Sequence, residues 1–185
     1  MKLLDIRILG DPILRQDTTP VTEVTDDIRQ LVADMFETMY AAKGIGLAAP
    51  QVGRTERLAV VDVDGDRHVI INPEIVRAEG SEKGEEGCLS IPEVYGDVVR
   101  AERVVVRAMN ERGETVEIEA DELLARCLQH EIDHLHGKLF IDYLGPFKRR
   151  SALAKWSREK EKYPNGIRKL TAEEIAKHHH SDEEL

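Results

Sequence analysis

Apolar positions change period several times along the chain, and each change predicts an element. From Thr25 to Ala42, Ile28, Leu31, Val32, Met35 and Met39 recur at spacings of three and four, the mark of a helix. Thr25 can cap its first turn, and Asp26 and Asp27 suit the positive end of its dipole. Residues 44–53 are rich in glycine and break the pattern, which predicts a loop. Leu58–Val63 and His68–Ile71 follow as strands around the hairpin turn Asp64-Gly65, and Asn72-Pro73 ends the second. Residues 79–87, acidic and again carrying glycine, predict another loop. Val98–Met109 and Glu114–Ala120 flank a second hairpin at Asn110–Gly113. Val116 and Ile118 alternate with charged neighbours, so one face of that strand is wet.

Helical spacing returns after Asp121 and runs to about His136, with Gly137 at the position past the end where a left-handed residue closes a helix. Beyond Pro146 a basic helix is expected until Pro164-Asn-Gly166 interrupts it. Residues 1–24 are short apolar pieces cut by Gly10-Asp11-Pro12 and Pro20, so irregular or edge structure. The strands fall in consecutive hairpins rather than alternating with helices. That order predicts an α+β fold, with antiparallel sheets packed around a central helix. Residues 1–147 form one catalytic domain, and residues 148–185 an extension of it rather than a second domain.

Composition narrows the function. Aromatic residues are only 4% of the chain and the formal charge is −10, which excludes a stacking surface for single strands and a general DNA binder. The charge is uneven, with −13 over residues 1–147, +7 over 148–169 and −4 over 170–185. No apolar run reaches the roughly 18 residues that a membrane span needs. Asp5 and Arg7 stand where a signal peptide would be apolar. Two cysteines, Cys88 and Cys127, are too few for a disulfide scaffold. These features point to a soluble protein of the reducing cytoplasm. The triple His178–His180 carries no functional weight.

The chemistry concentrates in His130-Glu131-Ile-Asp-His134. One helical turn stacks residues i and i+4, so both imidazoles can reach one ion. At about 100° per residue, His130 at zero puts His134 near 40° and Glu131 near 100°. Leu124, Leu128 and Leu135 share a core stripe beyond Glu131. Glu131 then sits between the metal face and the core, placed to touch a water without binding the ion. A catalytic zinc-like ion wants three protein ligands and one open position. Phe140 occupies the place of the third histidine in the extended protease pattern, and Cys88, on the tight turn of Glu86-Gly-Cys-Leu-Ser90, is the better third donor. Cys127 lies near 60° on the same wheel, as pocket wall rather than ligand.

Gly44-Ile-Gly-Leu-Ala-Ala-Pro-Gln51, Glu86-Gly-Cys-Leu-Ser90 and Gln129-His-Glu-Ile-Asp-His-Leu135 together resemble the three motifs of bacterial peptide deformylase, in order and spacing, over about residues 1–150. The resemblance implies removal of the N-formyl group from nascent peptides beginning with formyl-methionine, with release of formate. It implies Cys88, His130 and His134 as metal ligands and Glu131 as the acid/base residue. Gln51 and the backbone N–H of Leu89 would hold the oxyanion, while Gly44, Ile45, Gly46 and Cys127 would bind substrate. It further implies Fe(II) in the cell, with Zn(II) or Ni(II) able to substitute. Arg126 and Tyr95 depart from the family pattern beside the first substrate side chain.

Two other readings stay open from the residues alone. A peptidase could use the same helix without needing Gln51 or the Cys88 motif. A structural zinc module would close the site with a fourth ligand, for which His136 and Cys127 are the nearby candidates. The basic stretch 148–163 likewise admits two roles: docking on the ribosome, or a helix that packs Leu153 and Trp156 on the body with its charges in water.

Overall fold

A computed structural model describes residues 2–170; the acidic tail beyond them, with His178–His180, lies outside the described residues. The chain runs β1 (Ile6–Arg7), a 3-10 turn at Pro12–Arg15, α1 (Asp26–Ala41), β2 (Gly46–Ala48) and a second 3-10 turn at Ala49–Val52. It continues through β3 (Leu58–Val63), β4 (Asp66–Glu79), β5 (Glu82–Cys88), β6 (Ile91–Arg100), β7 (Arg103–Met109) and β8 (Thr115–Asp121). The helix α2 (Glu122–Leu135), the turn Phe140–Tyr143, α3 (Pro146–Glu159) and β9 (Ile167–Arg168) complete it. Among the described residues no helix is long and apolar enough to cross a membrane.

One five-stranded antiparallel sheet, in the order β2-β3-β4-β7-β8, lies between the two long helices. Side chains alternate across a strand, and β3 shows the consequence. Ala59, Val61 and Val63 face α2 with Ala125, Leu128, Ile132 and Leu135, whereas Leu58 and Val60 face α1 with Leu31, Met35 and Met39. A strand covered on both faces must be apolar throughout, which is why Leu58–Val61 shows no alternation. Thr25 caps α1 as expected, its hydroxyl accepting from the Ile28 N–H at 3.3 Å. Gly137 ends α2 with φ +74°, and a Cβ there would stand 2.5 Å from the Arg15 carbonyl oxygen, so the position tolerates only glycine.

The sequence-based expectations fail at four places. The segment expected as a loop over 79–87 is largely the strand β5, paired to β6 in a separate two-stranded sheet. Its charges had masked it, yet a ribbon wet on one side accepts them. Asn72-Pro73 does not end a strand: β4 runs through it with a register shift between Ile71 and Glu74. The Asn72 side chain there is tied to the backbone N–H and carbonyl of Val21 at 2.8 and 2.7 Å. The run Val98–Met109 is two strands, because the chain turns at Ala101-Glu102 between β6 and β7. Within the expected loop 44–53, Gly46–Ala48 pair with β3, too short a strand to show a period.

A third core forms where α3 meets β6. Ala152 and Trp156 pack there with Ile8, Val94, Val98, Phe140 and Leu144. Trp156 also donates its indole N–H to the Leu9 carbonyl at 3.2 Å and stacks on Tyr163. Leu153 stays 38% exposed, so the inward face of α3 rests on Trp156 and not on the pair. Lys148, Arg149, Arg150, Lys155 and Arg158 face water.

Candidate active site

The helix α2 lies with one face on the sheet and another toward a cavity of about 540 Å³. His130 and His134, one turn apart, present their rings edge to face with centroids 4.9 Å apart. Their Nε2 atoms come within 3.2 Å of each other, and Cys88 Sγ lies 3.3 Å from His134 Nε2. Cys88 reaches them from the end of β5, where a register shift after Gly87 turns the strand. The three donor atoms all lie within 4.8 Å of one another, and Cys88 and His130 line the cavity. One thiol sulfur and two imidazole nitrogens converging this closely match the three-ligand donor set of a transition-metal site. The residues fit a metal.

The ring orientation has a physical cause. The Glu86 carboxylate accepts from His130 Nδ1 at 2.9 Å. Burial acts to raise the Glu86 pKa, but hydrogen bonds from Arg100 and His130 outweigh it and bring it down to about 2. An ionised carboxylate only accepts, so Nδ1 of His130 carries a proton toward Glu86 and Nε2 is the atom turned to its neighbours. Burial, and then the charge of His130, hold His134 well below the usual imidazole range, so it is the neutral ligand a metal requires. For His130, burial acts downward while hydrogen bonds to Cys88 and Glu86 raise it to about 10.

Glu131 is 3% exposed, with Oε1 4.0 Å from His130 Nε2, beside the donors and not among them. Burial raises its carboxyl to about 7. Gly46 permits this crowding: a Cβ there would stand 2.7 Å from Glu131 Oε1 and 2.9 Å from Cys127 Sγ. Gln51, 1% exposed, accepts the Ala48 N–H on Oε1 at 2.9 Å. That contact fixes the amide, and Nε2 points to Ser90 Oγ at 3.1 Å and Cys88 Sγ at 3.6 Å. Gly44, Ile45, Leu89 and Cys127 line the same cavity, and His134 stands behind its lining beside Cys88 and His130, so the site residues read from the sequence come together.

The closed structural site is not built. Burial, then Glu131, pushes Cys127 well above the usual thiol range, and its S–H donates to the Ile45 carbonyl at 3.6 Å. His136 points away and contacts Asp17 at 2.7 Å. Arg126, which departs from the family pattern beside the first substrate side chain, lines the cavity and directs its guanidinium to Glu86 at 2.7 Å and to the Val98 and Glu82 carbonyls at 2.8 Å. Tyr95 is 58% exposed at the rim.

Sequence reasoning gave Glu86, Arg100 and Asp133 no role. Arg100, with a side chain 4% exposed, pairs with both oxygens of Glu86 at 2.8 Å and with Asp133 at 2.6 Å. The available signal was that Glu86 and Cys88 are two apart and share a strand face. Reading that segment as a loop concealed it.

The family model described as polypeptide deformylase matches residues 3–150. The peptide deformylase of Alkalilimnicola ehrlichii is 55% identical over 154 residues, which cover 81% of this chain and 86% of that one. A crystal structure of a peptide deformylase from Legionella pneumophila superposes with a TM-score of 0.85 at 47% identity, over 89% of this chain and 99% of that one. One from Synechococcus elongatus, in complex with actinonin, gives 0.80 at 48% identity, over 83% and 86%.

Proposed function

The chain belongs to the polypeptide deformylase family, and from that premise we propose which residues, metal and partners carry its reaction. It is a metal-dependent amide hydrolase that removes the N-formyl group from nascent peptides and releases formate. We assign Cys88, His130 and His134 as the metal ligands, Glu131 as general base and acid, and Gln51 Nε2 with the Leu89 N–H as oxyanion donors. The convergence of the three donor atoms beside a buried carboxyl supports this assignment above all.

Cys88, His130 and His134 would hold a divalent cation, and that cation would supply a water of lowered pKa and polarisation of the formyl carbonyl. Glu131, with a carboxyl near 7, takes one proton and returns it to the leaving amine. Gln51, its amide fixed by Ala48, needs no reorganisation to meet developing negative charge, and such a donor is worth about 10²–10³ in rate. Among the described residues β2 pairs with β3 on one side only, so its other edge can take an extended peptide by strand addition. Gly44, Ile45, Gly46 and Cys127 then wall the methionine side chain.

Fe(II) is the proposed resident metal, with Zn(II) or Ni(II) able to replace it, since such a donor set binds them at least as tightly as Fe(II). Protein loaded anaerobically with Fe(II) should release formate from a formyl-Met peptide, and Cys88→Ala should retain no metal. Activity should decay in air with Fe(II) and persist with Ni(II). Decay that Ni(II) loading does not prevent would sink the metal assignment.

We place the enzyme in the cytoplasm, where its substrates leave the ribosome, with residues 148–185 as an extension of the catalytic domain. The exposed cations of α3 form a basic face beside an acidic body, which suits docking on ribosomal RNA or acidic protein. Reversing Lys148, Arg149 and Arg150 to Glu should abolish salt-sensitive co-sedimentation with ribosomes while turnover and thermal midpoint hold. Trp156→Ala should instead cost about 3 kcal/mol or more of stability, because it empties the third core. Unchanged co-sedimentation of the reversed protein would leave α3 with its packing role alone.

A further inference from the structure

We infer that Arg168 is a positioning residue of the active site, by which the C-terminal segment holds the Leu89 turn in its working geometry. This rests on the reading of the Leu89 N–H as an oxyanion donor. Leu89 and Ser90 form the two-residue turn between β5 and β6. The N–H of Leu89 belongs to one peptide unit and its carbonyl to the next, joined only through the two backbone rotations of Leu89 itself. Cys88 is anchored on the upstream side, paired with Ile91 across the β5–β6 ribbon. On the downstream side, Arg168 donates from its guanidinium to the Leu89 carbonyl at 3.3 Å. With both flanks held, the rotation that would swing the N–H out of the cavity is blocked. Arg168 and Leu89 line that cavity together.

The neighbouring carbonyl is held as well. The Leu9 N–H donates to the Ser90 carbonyl at 2.9 Å, and Gln51 Nε2 donates to Ser90 Oγ at 3.1 Å. The turn is thus fastened by residues 9 and 168, from opposite ends of the chain.

How Arg168 arrives follows from the break that the sequence places at Pro164-Asn-Gly166. Asn165 and Gly166 both adopt left-handed φ, +63° and +69°, which reverses the chain tightly. The reversal lets β9 pair with β1, Arg168 opposite Ile6 and Ile167 opposite Arg7, and the Ile8 N–H reaches the Gly166 carbonyl at 3.3 Å. Trp156 donates to the carbonyl of Leu9, the residue whose N–H holds Ser90. The tail is therefore tied to the same N-terminal segment, residues 6–9, that holds the turn.

A group that pre-aims a donor changes the chemical step more than substrate binding. Arg168→Met should lower kcat about tenfold, a part of what an oxyanion donor contributes, with KM, metal content and thermal midpoint unchanged. Arg168→Lys, which keeps a cationic donor, should recover part of the loss. A second variant tests the premise on its own: replacing Leu89 by its α-hydroxy acid removes that N–H and should lower kcat by about 10²–10³. Arg168→Met should then cost little more in the ester background. An ester that turns over normally would overturn the donor assignment. A costly ester with an unaffected Arg168→Met would overturn the positioning role and leave the donor standing. A kcat that falls only in step with the thermal midpoint would make Arg168 structural.

Discussion

Glu131→Ala is expected to lower kcat by about 10²–10⁴ while the protein keeps its metal, because general acid–base catalysis is lost and no ligand is removed. The carboxylate oxygen lies 4.0 Å from His130 Nε2 and does not enter the Cys88, His130, His134 group. Metal content fixes the interpretation. If Glu131→Ala lost metal in proportion to activity, the residue would be a ligand and the proton would need another carrier. The pH profile gives a second handle. Burial raises the Glu131 carboxyl to about 7, and a cation in the site can only lower it. The wild-type rate should therefore fall on an acidic limb at or below about pH 7, and that limb should vanish in the variant. Folding carries the same sign. A carboxyl raised in the folded state favours folding most below its ordinary value of 4.5, and this contribution is lost as pH rises through about 7. Metal-free Glu131→Gln should thus be more stable than metal-free wild type above pH 7. The site spends folding stability on a base of the right strength.

Glu86→Ala should be the most damaging change away from the reacting atoms. It removes the partner of Arg100, whose side chain is 4% exposed, and breaks the contacts to Arg126 and His130 at once. An uncompensated buried charge costs about 3–5 kcal/mol; Asp133 still pairs with Arg100, so the lower end is expected. Metal affinity should fall about 10–100-fold as His130 loses the acceptor that orients it. Denaturant unfolding and metal titration read the two effects separately. Glu86→Gln keeps an acceptor for His130 without the charge, so it should retain more metal affinity than stability. Because Glu86 is lowered to about 2 in the fold, its contribution is present above about 4.5 and lost as pH falls toward 2. Glu131 and Glu86 therefore respond to pH in opposite directions within one site. If Glu86→Ala unfolded and bound metal like wild type, the carboxylate–arginine network would be ornamental.

The sequence by itself determined what rests on local geometry. His130 and His134 face one ion because one helical turn stacks them, and that holds on any helix. The caps at Thr25 and Gly137, the hairpins at Asp64-Gly65 and Asn110–Gly113, and the apolar stripes of α1 and α2 are of the same kind. Each is decided within a few residues. Only the tertiary structure decided which charges are buried and against what. Glu86 looks like one acid in an acidic loop until Arg100, Arg126 and His130 close on it from 14, 40 and 44 residues away. β5 exists because β6 supplies its hydrogen bonds, not because its own residues favour a strand. Arg168 and Leu89, 79 residues apart, meet because a tight turn returns the tail to β1. Periodicity records which face a residue takes; the partner that makes a buried charge tolerable lies far along the chain, and no local pattern carries it.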